Sequence, residues 1–264
     1  MRTLWKLRAF VKRDLAIDFR YRLSFALEFV HVMLAVAGFY FFSQLVEHTR
    51  PQGYASFPFI LVGLAVNAYM MTCFVCFSQA IKGSQPAGTL KAILTTPTSP
   101  SSFLICSSVY PFIRASVDAG AYLVAGVLFG LPLWHVNVAA VALVFGLSLL
   151  AFSSIGIMSA TFTLVFKRGD PLLWLFGSGS WLLGGVLYPV DVLPTPLQHL
   201  SNLLPITHAA DGMRAALLGG ASPALIVADL RALALFALIG FPASVLMFSV
   251  GVDHAKRVGT LDHR

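Results

Sequence analysis

Charged residues are scarce in this 264-residue sequence. Asp, Glu, Lys and Arg together make up 11% of it, whereas hydrophobic residues make up 58% and the mean hydropathy is +0.82. Soluble domains carry about 25% charged and about 45–50% apolar residues. A water-soluble fold of this length could not bury so much apolar surface, so the composition predicts a protein whose solvent is lipid. No long polar stretch interrupts the pattern, which predicts a single domain over residues 1–264.

Cysteine is also scarce, with three residues in the chain. Cys73 and Cys76 form a C-x-x-C pair, but they lie in an apolar run without the nearby His or second Cys pair that a zinc or redox site needs. The sequence therefore predicts packing cysteines, no metal site and no disulfide framework. A cleavable signal peptide is not expected, because the first apolar run is long enough to span and no small-residue cleavage site follows it.

Long apolar runs are what the sequence has in abundance. A bilayer core about 30 Å thick is crossed by about 20 helical residues, and six runs qualify, of which the fifth is short and ends at Pro189. The predicted fold is therefore an all-α integral membrane protein with six transmembrane helices. The predicted spans cover residues 23–46, 57–79, 109–130, 138–166, 172–188 and 230–250.

The positive charges predict the orientation of these spans. The net charge is +7, and most Lys and Arg residues fall at the two termini and in alternate connections, whereas the outer loops hold only Arg50 and Arg214. Because Lys and Arg collect in cytoplasmic loops, both termini are predicted to be cytoplasmic, which agrees with an even number of spans. The same rule accounts for the basic charge, so no nucleic-acid partner is expected.

The first 22 residues are amphipathic. Apolar residues from Leu4 to Leu15 recur at helical spacing, and basic residues follow their own spacing on another side. The pattern predicts a helix over residues 1–22 that lies in the inner interface of the membrane, with its cations toward anionic lipid headgroups. The alternative is a solvated basic tail, against which Trp5 and Phe10 argue.

Two motifs each resemble part of a nucleotide-binding or catalytic site, but the sequence lacks the other residues that such a site needs. Gly83 to Thr89 has the glycine spacing of a P-loop, but it lacks the Lys that reaches nucleotide phosphates and does not follow a strand. The chain is therefore not expected to hydrolyse ATP by itself. Gly177 to Ser180 could suggest an intramembrane protease, but no base is evident for a serine nucleophile, and small residues also pack membrane helices closely.

Besides Arg231, at the outer mouth of the last span, four ionisable residues fall inside predicted spans. Glu28 and His31 are one turn apart on the first span, and Arg114 and Asp118 are four residues apart on the third, where they can pair. A charge at the bilayer centre costs about 2.5–3.5 kcal/mol on insertion scales, so these side chains should face the protein interior or a transport pathway. The alternative is that all four are hydrated near the inner interface.

Two connections are too long to be simple turns. The cytoplasmic one contains a short apolar helical piece at residues 89–94. The outer one contains two apolar pieces, at residues 197–204 and 207–218, each too short to span, which predicts a re-entrant pair of helices broken at Pro205. This pair would be either a moving gate or an inert plug. Its expected landmarks are Pro189, Pro194 and Pro205, together with His208, Asp211 and Arg214 on the wetter side.

Three short segments of the sequence together form a pattern that can be compared with known protein families. They are Gly88-Thr-Leu-Lys-Ala-Ile-Leu-Thr-Thr-Pro97, Gly185-Val-Leu-Tyr-Pro189-Val-Asp-Val-Leu-Pro194 and Leu204-Pro205-Ile-Thr-His208-Ala-Ala-Asp211-Gly-Met-Arg214. Their order and spacing, on a six-span plan, resemble the ABC type-2 permease family, the membrane subunits of ABC exporters. The resemblance covers essentially the whole chain.

The resemblance implies the permease subunit of an ATP-driven exporter in the inner membrane. Two permease copies, identical or closely related, would pair in the lipid, and each would dock a cytosolic ABC ATPase subunit that binds ATP and Mg. The substrate would be amphipathic: a drug, a lipid, or a lipid-linked glycan or polysaccharide. The docking helix would comprise Gly88, Thr89, Leu90, Lys91, Ile93 and Leu94.

One departure from the family pattern concerns this docking helix. Many members place acidic residues before the Gly-Thr-Leu and a Glu after it, whereas here Ser84 to Ala87 is uncharged and Lys91 follows. The docking surface is therefore expected to differ in charge. The alternative function is a secondary transporter or channel without an ATPase partner, which would show inverted repeats and more buried ion-coupling charges.

Overall fold

The computed structural model describes residues 22–45, 53–84, 100–131, 133, 136–166, 171–219 and 223–258, and every regular element in these ranges is helical. In chain order the α-helices are α1 Arg22–Leu45, α2 Ser56–Ser84, α3 Pro100–Leu128, α4 Val138–Phe166, α5 Pro171–Leu183, α6 Thr195–Asn202, α7 Pro205–Leu218, α8 Pro223–Leu235 and α9 Phe241–Val258. A 3₁₀ turn at Val190–Val192 precedes α6, and a π-helical turn at Phe236–Gly240 joins α8 to α9.

Proline explains several helix boundaries. The helices α3, α5, α7 and α8 each begin with Pro, whose fixed φ suits the first helical turn and whose missing N–H leaves no orphan donor there. Pro242, by contrast, lies two residues after the end of the π-helical turn at Phe236–Gly240. Proline removes one helical hydrogen bond and its ring crowds the carbonyl four residues earlier, which accounts for the wider turn inside this rod.

Within the described ranges, five helices are long and apolar enough to cross a membrane. They cover Leu27–Leu45, Ser56–Lys82, Ser108–Leu128, Val138–Phe166 and Ile226–Asp253. The run predicted at residues 172–188 differs, because α5 stops at Leu183 and at 13 residues is only about 20 Å long. Gly184 and Gly185 follow it, and Gly185 has a φ of +62°, a backbone conformation that favours glycine.

The helices alternate in direction. Glu28 near the start of α1 contacts Arg114 of α3. Further along both segments, the rings of Tyr40 and Phe129 pack with centroids 5.1 Å apart. The two contacts follow in the same order along the chain, so α1 and α3 run parallel. Phe57, at the start of α2, packs 5.2 Å from the Tyr40 ring near the end of α1, so α2 runs the opposite way. Short connections between antiparallel neighbours are the usual plan of a helix bundle.

Helix α2 is the centre of the bundle. Most of its membrane-length window is buried, and its phenylalanines interlock with those of neighbouring helices. Phe74 packs edge-on against Phe152 of α4, with ring centroids 6.4 Å apart. The hydroxyls of Ser78 and Ser159 are 2.8 Å apart between the same two helices, which run parallel. A helix buried on all sides is expected to be apolar all round, and α2 has that character.

Candidate functional site

The second and third motif segments, residues 185–194 and 204–214, converge on Arg214 of α7. This side chain is only 1% exposed, in a helix of which most residues are buried. Its Nε donates to the carbonyl oxygen of Phe59 at 3.1 Å. Its Nη2 donates to the carbonyl oxygens of Gly185 and Val186 at 2.8 and 3.0 Å. One guanidinium therefore ties α7 to the first turns of α2 and to the turn after α5.

The charge of Arg214 is balanced within the same cluster. Its Nη1 donates to Asp211 Oδ1 at 2.9 Å, and the guanidinium carbon lies 3.5 Å from the centroid of the Phe59 ring, a cation–π arrangement. Burial lowers the pKa of Arg214 to about 10, while Asp211 opposes that change, so Arg214 stays charged at neutral pH. We call Arg214, Phe59, Gly185, Val186 and Asp211 the Arg214 clamp.

The clamp requires close approach at Gly63 of α2. A Cβ placed there would collide with the Val186 carbonyl oxygen and would lie 2.6 Å from Arg214 Nη2. Backbone atoms cannot move aside as a flexible side chain can, so this position needs glycine. At the other end of the turn, a Cβ on Gly184 would lie 2.8 Å from the Ile206 side chain. The turn between α5 and the outer segment is therefore tightly packed.

The prediction that Arg214 lies on the wetter side of the outer helices is wrong. Its partner Asp211 is 28% exposed, so the two members of this pair differ sharply in burial. The two residues nevertheless form an ion pair, three residues apart on one helix. The missed signal is the helical spacing: Arg214 follows Ala210 by four residues and precedes Leu217 by three, which places it on the buried face. Ala210 and Leu217 are both buried.

His208 forms a second polar link in the outer segment. Its Nδ1 lies 3.0 Å from Asp229 Oδ1 of α8, and its Nε2 lies 3.0 Å from the carbonyl oxygen of Asn202 at the end of α6. A carbonyl oxygen and a carboxylate both accept, so the doubly protonated ring satisfies both contacts. The hydrogen bond to Asp229 is the main cause that raises the pKa of His208; burial opposes it, and Asp211 adds to it. His208 therefore holds α6, α7 and α8 together most firmly when protonated.

The three predicted prolines mark the boundaries of the outer segment. Pro189 directly precedes the 3₁₀ turn, Pro194 is the N-cap of α6, and Pro205 opens α7. The hydroxyl of Thr207 donates to the Ser201 carbonyl oxygen at 2.8 Å and joins α6 to α7 across Pro205.

We expect replacement of His208 with Gln to destabilise the chain in a pH-dependent way. Because the folded-state pKa lies above the ordinary value of 6.5, the added stability is fully present below about pH 6.5 and is lost as pH rises through the raised value. Melting temperatures of both proteins in detergent should therefore differ most at mildly acidic pH and converge at alkaline pH. His199→Gln, on the exposed side of α6, is the control. A difference that does not change with pH would contradict this assignment.

The charges predicted inside the spans form one cluster between α1 and α3. Arg114 Nη2 bonds to Glu28 Oε2, and Arg114 Nε lies 3.6 Å from Asp118 Oδ1. The predicted Arg114–Asp118 pair is thus confirmed, and the contact with Glu28 is an addition. These three side chains line a cleft of about 370 Å³. His31 lies on the same helix as Glu28 and is exposed.

Two predicted sites lie outside the described residues. They are the interfacial helix, of which residues 1–21 are not described, and the docking helix at residues 88–94. Within the described ranges, no group of three His, Cys, Asp or Glu side chains could hold a metal ion. The Cys76 thiol donates to the Cys73 carbonyl oxygen at 3.3 Å and both cysteines are buried, as expected of packing residues.

The fold and this site are those of a multi-pass membrane protein. Hydrogen bonds and ion pairs of Arg214 and His208 join its helices at one end of the bundle. The chain belongs to the ABC-2 type transporter family, whose model matches residues 6–218. The description of this family is that of a membrane transporter.

Curated relatives agree with this membership. The inner membrane transport permease YadH of Escherichia coli (strain K12), and the proteins of the same name from Escherichia coli O157:H7 and Shigella flexneri, are each 25% identical to this chain over 167 residues. The match covers 63% of this chain and 65% of each relative, so it spans just under two thirds of the length of these relatives.

Proposed function

We propose that this chain is the permease subunit of an ATP-driven exporter in the inner membrane, with both termini cytoplasmic. A separate cytosolic ABC ATPase would bind ATP and Mg, and a second permease copy, identical or closely related, would complete the pathway. The substrate would be an amphipathic molecule such as a drug, a lipid or a lipid-linked glycan. The observation that carries the proposal is the family match over residues 6–218, which includes both the docking segment and the outer motifs.

Six membrane crossings are supported by the course of α5. Phe176 packs 5.9 Å from Phe74, ring to ring, and four residues later Ser180 accepts a hydrogen bond from Asn67 at 2.9 Å. Helix α5 therefore runs antiparallel to α2. The turn after it continues in the same direction until the Arg214 clamp joins it to the first turns of α2. The helix and its extended continuation together would provide the crossing that α5 is too short to make alone.

A re-entrant outer pair is supported by the burial of α7. Four apolar residues at helical spacing along α7 are buried, namely Ile206, Ala210, Met213 and Leu217. Helix α7 also packs beside Val144, about two turns inside α4, since a Cβ on Gly212 would lie 3.3 Å from that side chain. Leu200 of α6 and Leu203, directly after this helix, are exposed, which suits contact with lipid or with the membrane interface. The pair would close the outer mouth until ATP-driven motion opens it.

The charged cleft between α1 and α3 is the proposed start of the pathway. Glu28 and Arg114 fall near the beginnings of spans that start inside on the proposed topology. Glu28 remains 46% exposed beside its partner, so the cluster could meet a polar group of a substrate at the inner membrane face. Mutual pairing of Arg114 with Glu28 and Asp118 lowers the cost of holding charge at this depth.

We expect single cysteines to report this topology. In a background without Cys73, Cys76 and Cys106, a Thr195→Cys variant, exposed at the start of α6, should react with a membrane-impermeant thiol reagent added to intact cells. A matched Lys82→Cys variant, exposed at the end of α2, should react only after the membrane is opened. The reverse pattern would overturn both the six crossings and the outer position of α6.

The energy source has a direct test. The purified chain should hydrolyse no ATP, because the glycine-rich segment at residues 83–89 lacks the Lys that contacts nucleotide phosphates. Chain isolated from its native membrane in mild detergent should carry an ATP-hydrolysing partner. Robust hydrolysis by the chain alone would refute the proposal.

A further inference from the structure

A cavity of about 200 Å³ lies between α2, α3, α4 and α7. Its walls include Val66 of α2, Ala119 of α3, Phe145 of α4 and Met213 of α7. An engineered apolar protein cavity of about 150 Å³ binds benzene. This cavity therefore has room for an aromatic ring with a short substituent or for an alkyl chain of medium length. It shares Gly120 with the charged cleft between α1 and α3 but none of that cleft's charged residues, and it uses none of the residues of the Arg214 clamp.

The described residues place three hydroxyl groups in this otherwise apolar cavity, those of Tyr69, Ser116 and Ser148. The Ser116 hydroxyl donates to the Phe112 carbonyl oxygen at 2.8 Å. The side chains of Tyr69 and Ser148 are 4% and 3% exposed, and neither hydroxyl has a hydrogen-bond partner in the described part of the chain, although the Cys73 thiol lies beside Tyr69. Helix geometry does not force this state, because Ser154 on the same helix α4 donates to the Ala151 carbonyl oxygen at 2.7 Å. A buried hydroxyl without a partner is unfavourable, and a bound ligand would remove that cost.

The lining also restricts the charge of a ligand. The described residues that line it include no Asp, Glu, Lys, Arg or His, so a charged ligand would lose its hydration there without gaining an opposite charge. Hydroxyl groups both donate and accept hydrogen bonds. The ligand chemistry that fits is an apolar body with one uncharged hydroxyl or carbonyl group.

We propose that this cavity binds small uncharged amphiphiles, of the class of phenols and medium-chain alcohols. The apolar body of the ligand fills the space between α3, α4 and α7, and its polar group bonds to Tyr69 or Ser148. The site belongs to the chain itself, so binding requires neither the ATPase partner nor a second copy. If the exporter proposal failed, this binding site would still stand. If this site bound no ligand, the exporter proposal would be unaffected.

The test uses the full chain in lipid nanodiscs and a diazirine-bearing analogue of 1-hexanol as the photoreactive probe. Crosslinks mapped by mass spectrometry should fall on lining residues such as Tyr69 and Met213. Excess 1-hexanol should suppress these crosslinks, whereas hexane at matched membrane concentration should suppress them far less. Equal suppression by hexane would overturn the proposal, because the cavity would then be an apolar void without a role for the hydroxyls. This comparison needs no variant and so does not depend on any variant folding.

Variants locate the polar contact. The double variant Tyr69→Phe, Ser148→Ala keeps the shape of the cavity and should lower labelling by up to roughly tenfold, as expected for the loss of one ordinary hydrogen bond. Ser153→Ala and Thr163→Val are matched controls, since both remove a buried hydroxyl without a partner and neither residue lines this cavity. Wild-type labelling in the double variant, or an equal loss in the controls, would overturn the assignment.

Discussion

Replacement of Arg214 with Met should destabilise the chain by about 3–5 kcal/mol, the range observed when one partner of a buried ion pair is removed. Met is of similar length and keeps the apolar stem, so the loss isolates the guanidinium. Three backbone carbonyl oxygens, at Phe59, Gly185 and Val186, would lose their charged donor, and a buried acceptor without a donor costs about 1–3 kcal/mol. The measurement is the fraction of monodisperse protein that survives a temperature ramp in detergent.

Two further substitutions separate charge from geometry in the clamp. Asp211→Asn leaves all three carbonyl contacts of Arg214 in place and should therefore be milder than Arg214→Met. Arg214→Lys keeps the positive charge but not the planar fork that reaches acceptors on two segments, and should give an intermediate loss. Full stability of Arg214→Lys would contradict the clamp, because it would show that a charge alone is sufficient.

The helices that cross the membrane could be predicted from the sequence because their signal is local. An apolar run of sufficient length has one stable solution in lipid, a helix that satisfies its own backbone. This reasoning fails at the end of α5, because the sequence remains apolar after Leu183, through Leu187. Hydropathy continues past the point where Gly184 and Gly185 end the helix, and only the packing of these glycines shows the change of conformation.

Burial of Arg214 could not be predicted from hydropathy, because its partners are distant in sequence. The carbonyl oxygen of Phe59 is 155 residues away and that of Gly185 is 29 residues away. A residue-by-residue scale assigns Arg to water, whereas the free energy depends on acceptors that only the assembled bundle supplies. Helical spacing did contain the information, since it aligns Arg214 with the buried stripe of α7.

The charged residues inside the spans likewise make one local contact that can be predicted from the sequence and one distant contact that cannot. The pair of Arg114 and Asp118 is readable from a spacing of four residues on one helix. The contact of Arg114 with Glu28 joins residues 86 apart and depends on α1 and α3 lying side by side. Likewise His208 and Asp229, 21 residues apart, meet only because α7 folds back against α8.

Replacement of Leu90 with Asp should abolish binding of the ATPase subunit while leaving the permease in the membrane. Leu90 and Leu94 are four residues apart and share one side of the proposed docking helix. A carboxylate on that side would be buried at the contact without a partner, and the expected loss of affinity is about tenfold or more. Ala92→Asp is the matched control, because it adds the same charge on the opposite side of the helix.

The amount of ATPase subunit recovered per permease, after affinity purification from native membranes in mild detergent, tests the central claim most directly. The wild-type chain and the Ala92→Asp variant should each retain about one ATPase subunit per permease, and the Leu90→Asp variant should retain almost none at an unchanged yield of permease. Wild-type chain that purifies intact without any ATP-hydrolysing partner would contradict the claim that this permease is driven by ATP.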